Sequence, residues 1–112
     1  MDYKDIEEWF DSNKDGSLRN SNSSSHLEHL TKYVLEKCKF QKGSKILEIG
    51  CGDGLILASI EKKRPDLVLS GIDLSKIQIK KAQSLLPKIE FFAGNFLDVE
   101  ISSTFDAIFS FS

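Results

Sequence analysis

The residues with chemistry to offer gather around one short string, Glu48-Ile49-Gly50-Cys51-Gly52-Asp53-Gly54, which directly follows Lys45-Ile46-Leu47. Glycine at every second position removes three side chains, which lets a ligand come close to the backbone. A carboxylate stands two residues before the first of these glycines, another acid follows at Asp73, and an amide at Asn95. Acids accept hydrogen bonds from hydroxyl or ammonium donors, and an Asn carbonyl accepts from an amino group. A phosphate-cradling loop needs GxxxxGK followed by Ser or Thr, and no such string occurs. The dinucleotide fingerprint GxGxxG fits only in part, because its third glycine falls on Leu55 or Leu57. Glu48 would also repel a phosphate. The loop therefore suits a ligand that carries positive charge.

These groups need elements to position them. Residues 45–50 read as a buried strand, 55–63 as a helix, 67–72 as a second strand and 75–86 as a second helix. Residues 89–93 and 105–111 read as third and fourth strands. Strands alternating with helices of this length predict a parallel sheet with right-handed crossovers. Such sheets bind ligands at the carboxyl ends of their strands, where the glycine string, Asp73 and Asn95 all fall. Ahead of this unit, Leu27, Leu30, Val34, Leu35 and Cys38 have helical spacing, and the helix is expected to end near Phe40. Ser25 with Glu28, and Ser75 with Gln78, form capping-box patterns. Residues 1–10 could form a short helix carrying Ile6, Trp9 and Phe10 on one face, followed by a polar loop.

Structural readings of the same residues compete. Glu48 could cap a backbone amide, Asp73 could serve the start of the following helix, and Asn95 could occupy a turn after Gly94. Cys51 offers its backbone rather than its thiol. Lys76, Lys80 and Lys81 fit the solvated face of an amphipathic helix, and His26 and His29 lack paired ligands nearby in the sequence.

The string ILEIGCGDG, residues 46–54, resembles motif I of the class I S-adenosylmethionine-dependent methyltransferases. Gly71-Ile72-Asp73-Leu74-Ser75 resembles the family's second motif, Phe92-Ala93-Gly94-Asn95-Phe96 the segment after its third strand, and Phe105 to Ser110 its fourth-strand motif. The resemblance implies S-adenosyl-L-methionine as cofactor. By the same resemblance, Glu48 and the amides of Gly50, Cys51, Gly52 and Gly54 hold the amino-acid end, Asp73 the ribose, and Asn95 with Phe96 the adenine. Leu74 and Ser110 join the cofactor-binding set through the second and fourth motifs. The implied fold is α/β, a Rossmann-like parallel sheet of strand order 3-2-1-4 with flanking helices and a helical N-terminal extension.

The family's sheet has seven strands, in the order 3-2-1-4-5-7-6, so the chain is expected to be an N-terminal fragment truncated after the fourth strand. Residues 1–43 would be a helical and loop lid segment and 44–112 a partial core. The expected acceptor is a small molecule, no catalytic residue can be assigned, and the fragment's own activity is expected to be low. The rival is a non-catalytic module that binds cofactor or pairs the open edge of its fourth strand with another chain.

Composition sets the outer limits. The 112 residues are 40% hydrophobic with eight Phe, which suits one globular domain, and the net charge of -2 gives no field for nucleic acid or anionic lipid. The acidic N-terminus lacks a signal-peptide pattern and no apolar run approaches membrane length, so a cytoplasmic protein without membrane partners is expected. Cys38 and Cys51 lack metal-ligand spacing, and free thiols are expected with no metal site. Residues 11–18 match the first eight positions of an EF-hand loop, but Arg19 at the ninth would place a cation beside the metal and Asn22 at the twelfth is not the bidentate Glu the loop needs, so an Asp/Asn/Gly turn explains the same letters.

Overall fold

The computed structural model describes residues 24–101 and 104–111. The expected helix at residues 1–10, the polar loop after it and the EF-hand-like string lie outside the described residues.

Helix α1 spans Ser24–Cys38, strand β1 Lys45–Ile49, helix α2 Leu55–Lys63, strand β2 Val68–Asp73, helix α3 Lys76–Leu85, strand β3 Glu90–Ala93 and strand β4 Ala107–Ser110. The four strands form one parallel sheet in the order β3-β2-β1-β4, as the alternation of strands and helices requires. β1 is central: Glu48 stands opposite Gly71 on β2 and Phe109 on β4. A central parallel strand is covered on both faces, so Ile46, Leu47 and Glu48 are all buried in succession.

The apolar spacing read from the sequence becomes the core. Leu57 and Ile60 of α2, Ile79 and Ala82 of α3 and Val34 of α1 are buried together with Ile46, Leu69, Phe91 and Phe109. Each fully buried aliphatic side chain contributes roughly 1.5–3 kcal/mol relative to exposure. α1 packs on α2, where the buried Thr31 hydroxyl donates to Ser59 Oγ at 2.8 Å. α1 begins earlier than its apolar residues suggest, so Ser25 sits within the helix and is not its cap. It also ends sooner than Phe40, where Lys39 turns to φ 46.

Two carboxylates hold the strands' amino ends. Asp106 Oδ2 accepts from the Lys45 N–H at 2.7 Å, while the Asp106 N–H donates to the Lys45 carbonyl, which fixes the start of β4 beside β1. The Phe-Asp pair of the fourth-strand motif thus works at the end of the sheet away from the glycine loop. Asp66 accepts from Arg64 twice, at 2.8 and 2.9 Å, and from the Gly43 N–H at 3.2 Å. The Arg64 hydrogen bonds hold the Asp66 carboxyl well below the usual carboxylate range.

Candidate functional site

The glycine loop joins β1 to α2 through three left-handed residues, Gly50 at φ 75, Gly52 at φ 57 and Gly54 at φ 85. Its donors are turned inward. Gly50 and Cys51 both give their N–H to the Ile72 carbonyl, at 2.8 and 3.1 Å, Gly52 gives its N–H to Asp73 Oδ2 at 2.9 Å, and Gly54 to the Cys51 carbonyl at 3.0 Å. The four amides expected to hold a ligand are thus engaged within the chain.

What the missing side chains make room for differs along the loop. A Cβ on Gly54 would lie 3.2 Å from both Ala82 Cβ and Leu86 Cδ1 of the α3 region, whereas one on Gly52 would meet nothing within 4 Å. The close approach at Gly54 is therefore by the protein itself. Left-handed backbone costs a non-glycine residue roughly 1–2 kcal/mol, and crowding of a packed core adds about 1 kcal/mol or more. Gly52→Ala is expected to lower unfolding free energy by the first amount alone, and Gly54→Ala by about twice as much. Urea unfolding of the two variants checks the difference.

Glu48 is the unusual group. It is 1% exposed in the middle of the sheet, and its Oε1 has no hydrogen-bond partner. Burial pushes its carboxyl up to about 8, helped by the charges of Asp73 and Asp53. A buried acid that meets only other acids is a group without its natural counterpart. Cys51, buried at 7% exposure, has its thiol pushed up to about 12 by the same burial and by Glu48 and Asp73, which makes it a neutral filler.

Asp73 ends β2 and ties three pieces together. Oδ2 accepts the Gly52 N–H, Oδ1 accepts the Ser75 N–H at 2.9 Å, and its backbone carbonyl accepts the Gly94 N–H at 2.9 Å. The capping box at Ser75 is half formed: Ser75 Oγ accepts from the Gln78 N–H at 3.2 Å, but Asp73 takes the return bond and Gln78 Oε1 is buried without a partner. A carboxylate has about four lone-pair directions, so Asp73 retains capacity beyond these two amides. Asn95 forms a turn, with Oδ1 accepting the Leu97 N–H at 2.9 Å and its carbonyl accepting from Asp98 and Val99.

A cleft of about 340 Å³ opens at this end of the sheet. Ile49 and Gly50 line it at the end of β1, Ile72, Asp73 and Leu74 at the end of β2, and Gly94, Asn95 and Phe96 in the turn after β3. Five of the expected residues, Gly50, Asp73, Leu74, Asn95 and Phe96, meet there. Glu48 lies one residue before the lining, Cys51, Gly52 and Gly54 lie within the loop, and Ser110 stands beside Ile49 on β4. Sequence reasoning overlooks Asp53 as a source of the field on Glu48, although it stands between the last two glycines of the string itself. Among the described residues no group of three or more His, Cys, Asp or Glu is placed to hold a metal ion, and no helix is long and apolar enough to cross a membrane.

An open parallel sheet in the order β3-β2-β1-β4, with a glycine loop at the end of its central strand, defines a Rossmann-like α/β fold. A methyltransferase-domain family model matches residues 46–112, and the chain belongs to this family, the class I S-adenosylmethionine-dependent methyltransferase domains. The chain is similar to the carboxy-S-adenosyl-L-methionine synthase of Nautilia profundicola, 36% identical over 54% of this chain and 27% of that protein. It is also similar to the ribosomal RNA small subunit methyltransferase C of Shewanella halifaxensis, 33% identical over 57% of this chain and 18% of that protein. The plantazolicin methyltransferase BpumL in complex with SAH superimposes with a TM-score of 0.61 at 29% identity, covering 96% of this chain and 40% of that one. The chain spans less than half the length of each of these relatives.

Proposed function

We propose that the chain is the cofactor-binding part of an S-adenosyl-L-methionine-dependent methyltransferase that acts on a small molecule. The observation that carries this reading is Glu48, a buried carboxylate with an unpartnered oxygen beside two further acids, at the end of the strand that leads into the cleft. Such a group calls for a cation, and the cofactor's amino-acid end carries an ammonium. The inward-turned loop amides support the same choice, since a site for phosphate would aim them at the ligand. Glu48 holds the ammonium, Asp73 uses its remaining lone pairs for the ribose hydroxyls, and Leu74, Phe96 and the second lone pair of Asn95 Oδ1 receive the adenine. Gly50, Cys51, Gly52 and Gly54 shape the loop that frames the amino-acid end, and Ser110 closes the β4 side.

The cofactor supplies an already activated methyl sulfonium, so the chain's residues contribute position and alignment. A net charge of -2 gives no field to draw a polyanionic acceptor, which favours a small molecule over RNA. BpumL, by its name, acts on plantazolicin.

Calorimetry with S-adenosylmethionine tests the reading. Binding is expected for the 112-residue chain and is expected to weaken about ten- to a hundredfold in Asp73→Asn, the loss of a hydrogen bond to a charged group. A folded wild-type chain that takes up no cofactor at millimolar concentration overturns the proposal.

One observation favours association as a second property. Among the described residues β4 pairs with β1 alone, and its Ile108 is 50% exposed. Light scattering is expected to show mass rising with concentration, and a constant monomer mass would count against it.

A further inference from the structure

Glu48 has a feature that a simple ammonium-binding residue does not need. Its ionised form would place a buried oxygen without a donor in the interior, since Oε1 has no hydrogen-bond partner and the residues opposite in register, Gly71 and Phe109, offer no charge. The charged groups acting on it are Asp73 from the end of β2 and Asp53 from the loop, both acids, and the neighbouring Cys51 thiol is neutral. Among the described residues no cation acts on it.

Resting on the cofactor reading above, we propose that Glu48 keeps its proton in the ligand-free protein and releases it to solvent when the ammonium end of the cofactor enters, so that binding is coupled to loss of one proton. The balance is simple. The carboxylic O–H bond breaks, the proton passes to water or buffer, and the carboxylate left behind accepts a hydrogen bond from the ammonium, which remains protonated. Three donors on the ammonium can satisfy the oxygen that lacks one.

The coupling has a signature in pH. With Glu48 raised to about 8 in the ligand-free protein, affinity rises about tenfold per pH unit below about pH 7 and levels off towards about 8. An α-amino group loses its own proton near about 7.7–8.0, so affinity falls again at higher pH and is greatest close to that value. Glu48→Gln keeps an oxygen acceptor but has no proton to release, so its rising limb disappears while the falling limb stays.

The test uses S-adenosylhomocysteine, which carries the ammonium without the sulfonium. Calorimetry at pH 6.5 in buffers of different ionisation enthalpy counts protons, and the expected count is close to one for wild type and close to zero for Glu48→Gln. Carboxyl carbon resonances of the ligand-free chain give the Glu48 midpoint independently. Binding without proton release, release that persists in Glu48→Gln, or an ordinary Glu48 midpoint near 4.5 overturns the coupling and leaves the cofactor reading standing. A raised Glu48 midpoint with no binding of either nucleoside overturns the cofactor reading and the coupling with it.

Discussion

Glu48→Gln is expected to be more stable than the wild-type chain at pH 8 and to lose that advantage by pH 4.5. The folded carboxyl titrates at about 8 and the unfolded one near the ordinary glutamate value of 4.5. Between these values the native state binds more protons than the unfolded state, so wild-type stability falls as pH rises. The contribution is fully present below the unfolded value and is lost by the time pH passes the folded one. At roughly 1.4 kcal/mol for each pH unit between the two midpoints, the window amounts to an effect on the order of 4 kcal/mol, a large share of a small domain's stability. Glutamine does not titrate, and burying its amide costs about 1–3 kcal/mol at every pH. The variant therefore starts level or slightly behind in acid and moves ahead in alkali. Urea unfolding of both proteins at pH 4.5, 6 and 8 measures the crossing. A stability difference that does not change with pH would mean that Glu48 does not carry the burial penalty assigned to it.

That penalty explains which parts of the site could be read from the sequence. The β-α-β-α order was legible because short continuous apolar runs specify buried parallel strands and period-3.6 patterns specify helices, and α2 falls on the residues expected, Leu55–Lys63. The strand bounds shifted by one or two residues: β2 runs on to Asp73, and β4 is confined to Ala107–Ser110. The placement of Asp73, Leu74, Asn95 and Phe96 around one cleft follows from the rule that parallel sheets present their carboxyl ends together. The direction of the loop amides was not legible. A glycine string permits left-handed turns, and which carbonyl the N–H groups then face depends on β2, whose Ile72 lies beside Ile49 only after the sheet has formed. Asp73 and Asn95 show a related limit. Both the structural and the ligand reading of each fit its letters, and the structural bonds are made while lone pairs remain for a ligand.

Gly71→Ala is expected to destabilise the chain strongly, although Gly71 lies in a strand without unusual backbone. A Cβ there would stand 2.8 Å from Cys51 Sγ and 2.9 Å from Phe91 Cδ1 and Cε1, closer than real side chains pack. Neither neighbour has room to withdraw, since Cys51 and Phe91 are 7% and 8% exposed. Overpacking of this kind costs about 1–3 kcal/mol, and two contacts on buried groups place the cost near the upper end. For a chain of this size the melting point is expected to fall by roughly 4 °C for each kcal/mol lost. Displacing Cys51 also pulls on its N–H bond to Ile72 and on the Gly52 bond to Asp73, so cofactor affinity should fall with stability. The double variant Gly71→Ala, Cys51→Ala separates packing from backbone effects, because the new methyl then occupies space that the thiol held. Its cost is expected to be lower than that of Gly71→Ala alone, with a coupling energy of about 1–2 kcal/mol. Rescue should remain partial, because the Phe91 ring is still in place. Strictly additive costs would show instead that the thiol does not set the height of the loop above β2, and that Gly71 is required for the ring alone.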